Sequence, residues 1–153
     1  MIPELEKLLS QPGKRILFAG IGNVLKSDDG VGVYISRRIK QTKYIFSITV
    51  EVSIENYIGK INTLNPDILV LIDCADIGAS PGTCRLLEAG EVNDFTFNTH
   101  NISLKRITEF FNARVLILGI QPGTIDFGEN ISYLVTKVAD EVIRQINSSK
   151  SKL

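Results

Sequence analysis

The sequence predicts an α/β sandwich built on a mostly parallel sheet. Three short, continuous apolar runs are the first observation behind it: Ile16–Ala19, Ile68–Ile72 and Val115–Leu118, each followed by Gly, Asp or Pro. Such runs suit central strands buried on both faces. The second observation is the helical spacing of apolar residues in the segments between and after them. The third is the alternation of the two patterns along the chain, which parallel sheets require of their crossover connections.

In chain order, Ile16–Ala19 reads as the first strand. Val31, Ile35 and Ile39 then fall on one face of a helix at i, i+4 and i+8, with Asp28 or Asp29 placed to cap its start. Ser47–Ser53 alternates and reads as a further strand, and Glu55–Leu64 as a helix. Ile68–Ile72 is the central strand, and Cys84–Leu87, after the turn Ser80-Pro81-Gly82, a shorter one. Ile102–Phe110 reads as a short helix just after His100. Val115–Leu118 is the last apolar strand. Ile131, Val135, Val138, Val142 and Ile146 make the stripe of an amphipathic C-terminal helix. The polar end, 147–153, is expected to fray. With no internal repeat or linker, residues 1–153 are expected to form one domain.

Composition narrows the function. There are 17 basic and 17 acidic residues, so the formal net charge is zero, which argues against a partner that is nucleic acid or an anionic membrane. Hydrophobic residues make up 44%, which argues against disorder. No apolar run approaches the ~20 residues of a membrane span. The N-terminus lacks the basic and apolar regions of a secretory signal. Cys74 and Cys84 are too few for a disulfide framework and are not a Cys-x-x-Cys pair. The expectation is a cytoplasmic domain without membrane insertion. Any chemistry that needs imidazole must use His100, the one histidine.

In parallel sheets, ligands bind beyond the carboxyl ends of the strands. That points to Gly20–Gly30, Asp73–Gly82 and the loop after Leu118. The first has the setting of a phosphate loop, but both phosphate patterns fail at position 25. The dinucleotide pattern G-x-G-x-x-G and the triphosphate pattern G-x-x-x-x-G-K-[ST] each require glycine where Leu25 stands. Asp28 and Asp29 would also repel phosphate. One aspartate is enough for a cap, which leaves the second able to hold a metal. Asp73 follows a buried apolar run, where a carboxylate is costly unless paired, hydrogen-bonded or bound to a cation. Asp76 is better suited to ordering the turn that follows. His100 has polar neighbours, so it is not a core histidine. Two carboxylates and one imidazole can hold a divalent transition metal with positions left open. Cys74 could serve as a thiolate nucleophile or soft ligand, but burial as a small apolar residue is the expected fate of a lone cysteine at a strand end. G-x-S-x-G and H-E-x-x-H are absent.

Four blocks in order resemble the hydrogenase maturation endopeptidases. They are G-x-G-N-x-L-x-x-D-D-G-x-G at Gly20–Gly32, LVLIDCADIGASPGT at Leu69–Thr83, THN at Thr99–Asn101 and LGIQPGTIDFG at Leu118–Gly128. The THN and GIQP segments look most like the branch serving formate-hydrogenlyase and energy-converting hydrogenases. The resemblance implies a three-layer α/β/α sandwich, phosphorylase/hydrolase-like, with a five-stranded, mostly parallel mixed sheet. It implies an endopeptidase that removes the C-terminal extension of a [NiFe]-hydrogenase large-subunit precursor after nickel insertion. Asp29, Asp73 and His100 match the residues implicated in sensing nickel, and are the expected metal-facing and catalytic residues. No resident cofactor is expected. Nickel would come with the substrate, and a surrogate divalent metal could take its place. One departure falls at Thr49–Ser53, where many members carry an aspartate and paired glycines; Glu51 is either a substitute acid or a strand residue. The competing readings are a nucleotide-binding α/β module and a non-catalytic chaperone for nickel or the precursor.

Overall fold

The computed structural model describes residues 2–91, 96–97 and 104–149. Five strands form the mixed sheet: β1 (Ile16–Ile21), β2 (Ile45–Glu51), β3 (Ile68–Asp76), β4 (Cys84–Glu88) and, after the two-residue β5 (Thr96–Phe97), β6 (Arg114–Ile120). Their order is β2-β1-β3-β6-β4, and only β4 runs antiparallel to its neighbour. β5 pairs antiparallel with Ala75 and Asp76 at the end of β3. The three apolar runs are thus the three adjacent central strands, as their continuous hydrophobicity requires.

Alternation along these strands feeds two cores. Ile16, Phe18, Val70, Ile72, Cys74, Leu118 and Ile120 pack with α1 (Pro3–Leu9), α2 (Val31–Ser36) and α5 (Tyr133–Asn147). Leu17, Ala19, Leu69, Leu71 and Ile117 pack on the other face with Ile61 of α3 (Ile58–Leu64) and Ile107 of α4 (Leu104–Ile107). The expected three layers follow. Among the described residues, no helix is long and apolar enough to cross a membrane.

The sequence reading did not assign α1, whose seven residues are too few to display a period. Pro3 opens it, where a missing N–H costs nothing, and Leu5, Leu8 and Leu9 are buried. Gln145 of α5 locks its start by accepting the Ile2 N–H and donating to the Ile2 carbonyl. The fraying expected from residue 147 does not begin there. Asn147 belongs to α5, accepts the Lys40 N–H at 2.8 Å and donates to the Arg38 carbonyl at 2.9 Å. Residues 102–103 of the helix expected after His100 lie outside the described residues, and the remainder is α4 plus a 3-10 turn, Thr108–Phe110.

Two glycines decide how α2 sits. A Cβ on Gly32 would lie 2.2 Å from the Ile72 carbonyl oxygen and 2.4 Å from that of Ile21. A Cβ on Gly20 would lie 2.2 Å from Ser36 Oγ and 2.3 Å from the Gly32 carbonyl. The start of α2 therefore lies directly on β1 and β3. Gly32→Ala is expected to cost about 1–3 kcal/mol in urea unfolding, the usual cost of overpacking. Gly59→Ala in α3 has no atom within 4 Å of the new methyl and is expected to stabilise by about 0.5 kcal/mol.

Candidate active site

The strand order reverses between β1 and β3. From β1 the chain goes outward to β2, then returns across the sheet to β3 on the other side. Ligand sites in open α/β sheets lie at the carboxyl ends of such a pair. Here the 3-10 turn Ser27–Gly30 follows β1, and Asp73 is the first residue of β3 beyond its pairing with β1. Asp28, Asp29 and Asp73 are all buried there, at 0%, 1% and 1% exposure.

The two adjacent aspartates have different tasks, and neither caps α2. The cap position is Gly30, which makes no side-chain bond. The intervening 3-10 turn takes both carboxylates away from the first turn of α2. Asp28 Oδ2 accepts from the Gly123 N–H (2.7 Å), the Thr124 N–H (3.1 Å) and Ser132 Oγ (2.7 Å). Its Oδ1 accepts from the Ser132 N–H at 2.6 Å. Asp29 Oδ2 accepts the Asn23 N–H at 3.0 Å. Ser27 adopts a left-handed φ of 52°, rare for a non-glycine residue, and is fixed by its N–H to the Gly128 carbonyl and its hydroxyl to that of Asp126, both at 2.7 Å.

Asp73 is not at the end of its strand, since β3 continues to Asp76. It pairs across from Gly119 of β6, and its Oδ1 accepts the Cys74 N–H at 2.8 Å. Asp76 orders the following turn as expected, accepting the Gly78 N–H at 3.1 Å. The Ser27–Gly30 turn, which carries Asp29, packs against β3, which carries Asp73. His100 lies outside the described residues. Among the described residues, no three His, Cys, Asp or Glu side chains are grouped to hold a metal ion.

The glycine-rich segment is closed rather than open. Besides the contacts of Gly20 and Gly32, a Cβ on Gly22, at φ 140°, would lie 1.8 Å from the Asp29 carbonyl oxygen. The glycines let backbone meet backbone and leave no cradle for phosphates, which removes the support for nucleotide binding.

Sequence reasoning missed Gln121 and Ser132. Gln121 Oε1 accepts the Ile77 N–H at 2.7 Å, and its Nε2 donates to Asp76 Oδ1 at 3.3 Å. The loop after β6 thus ties down both other loops at this end, through Gln121 on one side and Asp28 on the other. For Gln121 the sequence signal was its place in the Leu118–Gly128 block, and for Ser132 only the polar content of the loop. Glu51, in the departing segment, ends β2 with a left-handed φ of 67° and pairs at 3.8 Å with Arg37. Its carbonyl accepts the Gly22 N–H at 2.8 Å, so its backbone supports the loop that leads to Asp29.

Cys74 is fully buried among apolar residues, and burial pushes its thiol well above the ordinary range. Asp29, Asp73, Asp28 and Asp76 add to that effect in decreasing order. Cys74 is therefore the small buried apolar residue the sequence led us to expect, not a thiolate nucleophile. The raised pKa also fixes the pH dependence of folding. Above about pH 8.5 the unfolded chain releases the thiol proton while the folded chain keeps it, so stability falls as pH rises. The contribution is about 1.4 kcal/mol per pH unit from this group. Burial raises the Cys84 thiol in the same way, so urea unfolding between about pH 9 and 10 is expected to show a fall steeper than one group gives, and Cys74→Ala to remove part of it.

A family model described as hydrogenase maturation protease (HycI) matches residues 14–149. The hydrogenase 3 maturation protease of Escherichia coli K12 is 27% identical, over 70% of this chain and 72% of that protein. The crystal structure of the [NiFe] hydrogenase maturation protease HycI of Thermococcus kodakarensis KOD1 superposes with a TM-score of 0.82 at 27% identity, covering 94% of this chain and 96% of that one. The solution structure of the endopeptidase HycI of Escherichia coli shares the fold, with a TM-score of 0.76 at 24% identity over 87% and 89% of the two chains. With nearly its whole length matched, this chain belongs to the hydrogenase maturation protease family and is a hydrolase of the endopeptidase kind.

Proposed function

We propose that this protease removes the C-terminal extension of a [NiFe]-hydrogenase large-subunit precursor after nickel has been inserted. In this reading Asp29, Asp73 and His100 meet the nickel that the precursor carries. The burial of Asp29 and Asp73 at the switch point of the sheet carries the proposal. Carboxylates withdrawn from water favour a cation beside them. His100 joins the set by its place in the sequence. Two carboxylates and an imidazole suit a divalent transition metal, with positions left for other ligands. Cysteines of the precursor would fill those positions, so docking would depend on metal. Nickel is then cargo of the substrate and the protease needs no cofactor of its own, although a surrogate divalent ion could enter the site. A cytoplasmic setting belongs to the same proposal and agrees with Cys74 and Cys84 being free thiols.

The reaction is peptide hydrolysis. A water oxygen bonds to the scissile carbonyl carbon, the C–N bond breaks, and the amine leaves with a proton. Two routes use this site. Nickel on the substrate polarises the scissile carbonyl or the attacking water, or Asp29 takes the water proton as general base while nickel only positions the chain. Asp29→Asn separates them: under the second route it retains nickel-dependent docking and loses cleavage.

The defining experiment incubates the protease with nickel-loaded and nickel-free precursor and reads the released peptide by mass. Only the loaded form should be cut. Asp29→Asn, Asp73→Asn and His100→Ala are each expected to slow processing by roughly 100-fold or more, with cooperative unfolding retained. Equal cleavage of loaded and nickel-free precursor would refute nickel recognition, and full activity in all three variants would refute the site.

A further inference from the structure

We propose that Asp28 is a positioning residue: its buried carboxylate binds the 121–132 loop to the Ser27–Gly30 turn and so fixes the placement of Asp29. The inference rests on the role given to Asp29 above. Asp28 is fully buried, and its two oxygens accept four hydrogen bonds from residues 95 to 104 positions away. Its own N–H donates to the Thr124 carbonyl at 3.1 Å, so the same residue grips the loop with backbone and side chain. A carboxylate engaged by four protein donors is committed to structure, and the substrate-facing role proposed above is given to its neighbour Asp29.

The surrounding bonds extend the tie along the turn. The Ser27 N–H donates to the Gly128 carbonyl at 2.7 Å, and the Gly128 N–H donates to that of Leu25 at 2.9 Å. On the other side, Asn23 holds Asp29 Oδ2. The loop is closed down onto the carboxylate, since a Cβ on Gly123 would lie 3.3 Å from both Asp28 Oδ2 and Ser132 Oγ. Ser132 stands at the cap position of α5 yet makes no side-chain cap bond, because its hydroxyl goes to Asp28. Charge-assisted bonds of this kind are the strong ones.

The chemistry explains why asparagine cannot replace this acid. Every partner is a donor. Three donors face Oδ2 and one faces Oδ1, so either orientation of an amide sets its NH2 against at least one N–H or O–H. Asp28→Asn must lose both the charge and a bond.

The test compares wild type, Asp28→Asn, Ser132→Ala and Ser132→Thr by hydrogen exchange and by single-turnover processing of nickel-loaded precursor with protease in excess. Asp28→Asn is expected to speed exchange in residues 121–132 and also in 22–30, and to slow processing by about tenfold to 100-fold, as misplacement of a reacting group does. Ser132→Ala, which removes one bond of the four, should give a smaller loss in the same direction, and Ser132→Thr, which keeps the hydroxyl, should recover most of it. Should Asp28→Asn fail to fold, the serine pair decides the matter. Faster exchange confined to 121–132 with unchanged processing would overturn the proposal, as would equal losses in Ser132→Ala and Ser132→Thr. Asp29→Asn is run alongside: if it processes like wild type, the reading of Asp29 is at fault, and exchange in 22–30 still judges the clamp.

Discussion

The close approach of α2 to β1 and β3 governs the active end of this molecule. Gly32 lies under the carbonyls of both strands, and Gly20 leaves room for Ser36 and the Gly32 carbonyl. No side chain larger than hydrogen fits at either place. This steric constraint sets the height of the Ser27–Gly30 turn over the sheet, and with it the burial of Asp28 and Asp29. A motif that looks built for phosphate is therefore a packing device that delivers carboxylates.

Three buried aspartates at one sheet end would be untenable if all did the same thing. Desolvated carboxylates need donors or cations. Asp28 resolves its burial with four protein donors and becomes part of the frame. Asp73 is held by the backbone of Cys74 and Asp29 by that of Asn23. Asp28 is thus consumed by structure, and the proposed metal-facing role falls to Asp29 and Asp73. Burial is the main cause that raises the Cys74 thiol, and the four aspartates at this sheet end add to it.

The layers and the sheet were legible in the sequence because apolar runs of four or five residues have one economical use, as central strands. Asp29 and Asp73 were legible as site candidates from their places after strands. The task of Asp28 was not, because its partners Gly123, Thr124 and Ser132 lie about a hundred residues away. Short-range reading offered only a helix cap, and the intervening 3-10 turn moves both acids off that position. Gln121 was hidden for the same reason. α1 and β5 escaped because seven and two residues carry no period. The glycines were visible, but whether a glycine makes room for ligand or for neighbouring backbone is a tertiary fact.

The central claim is that this protease reads nickel on its substrate through its own side chains. X-ray absorption at the nickel edge tests it most directly, comparing loaded precursor alone with the same precursor bound to the protease. The account predicts that nickel gains oxygen and nitrogen ligands on binding, with fewer oxygens when the partner is Asp29→Asn. A nickel coordination sphere unchanged by the bound protease would contradict it.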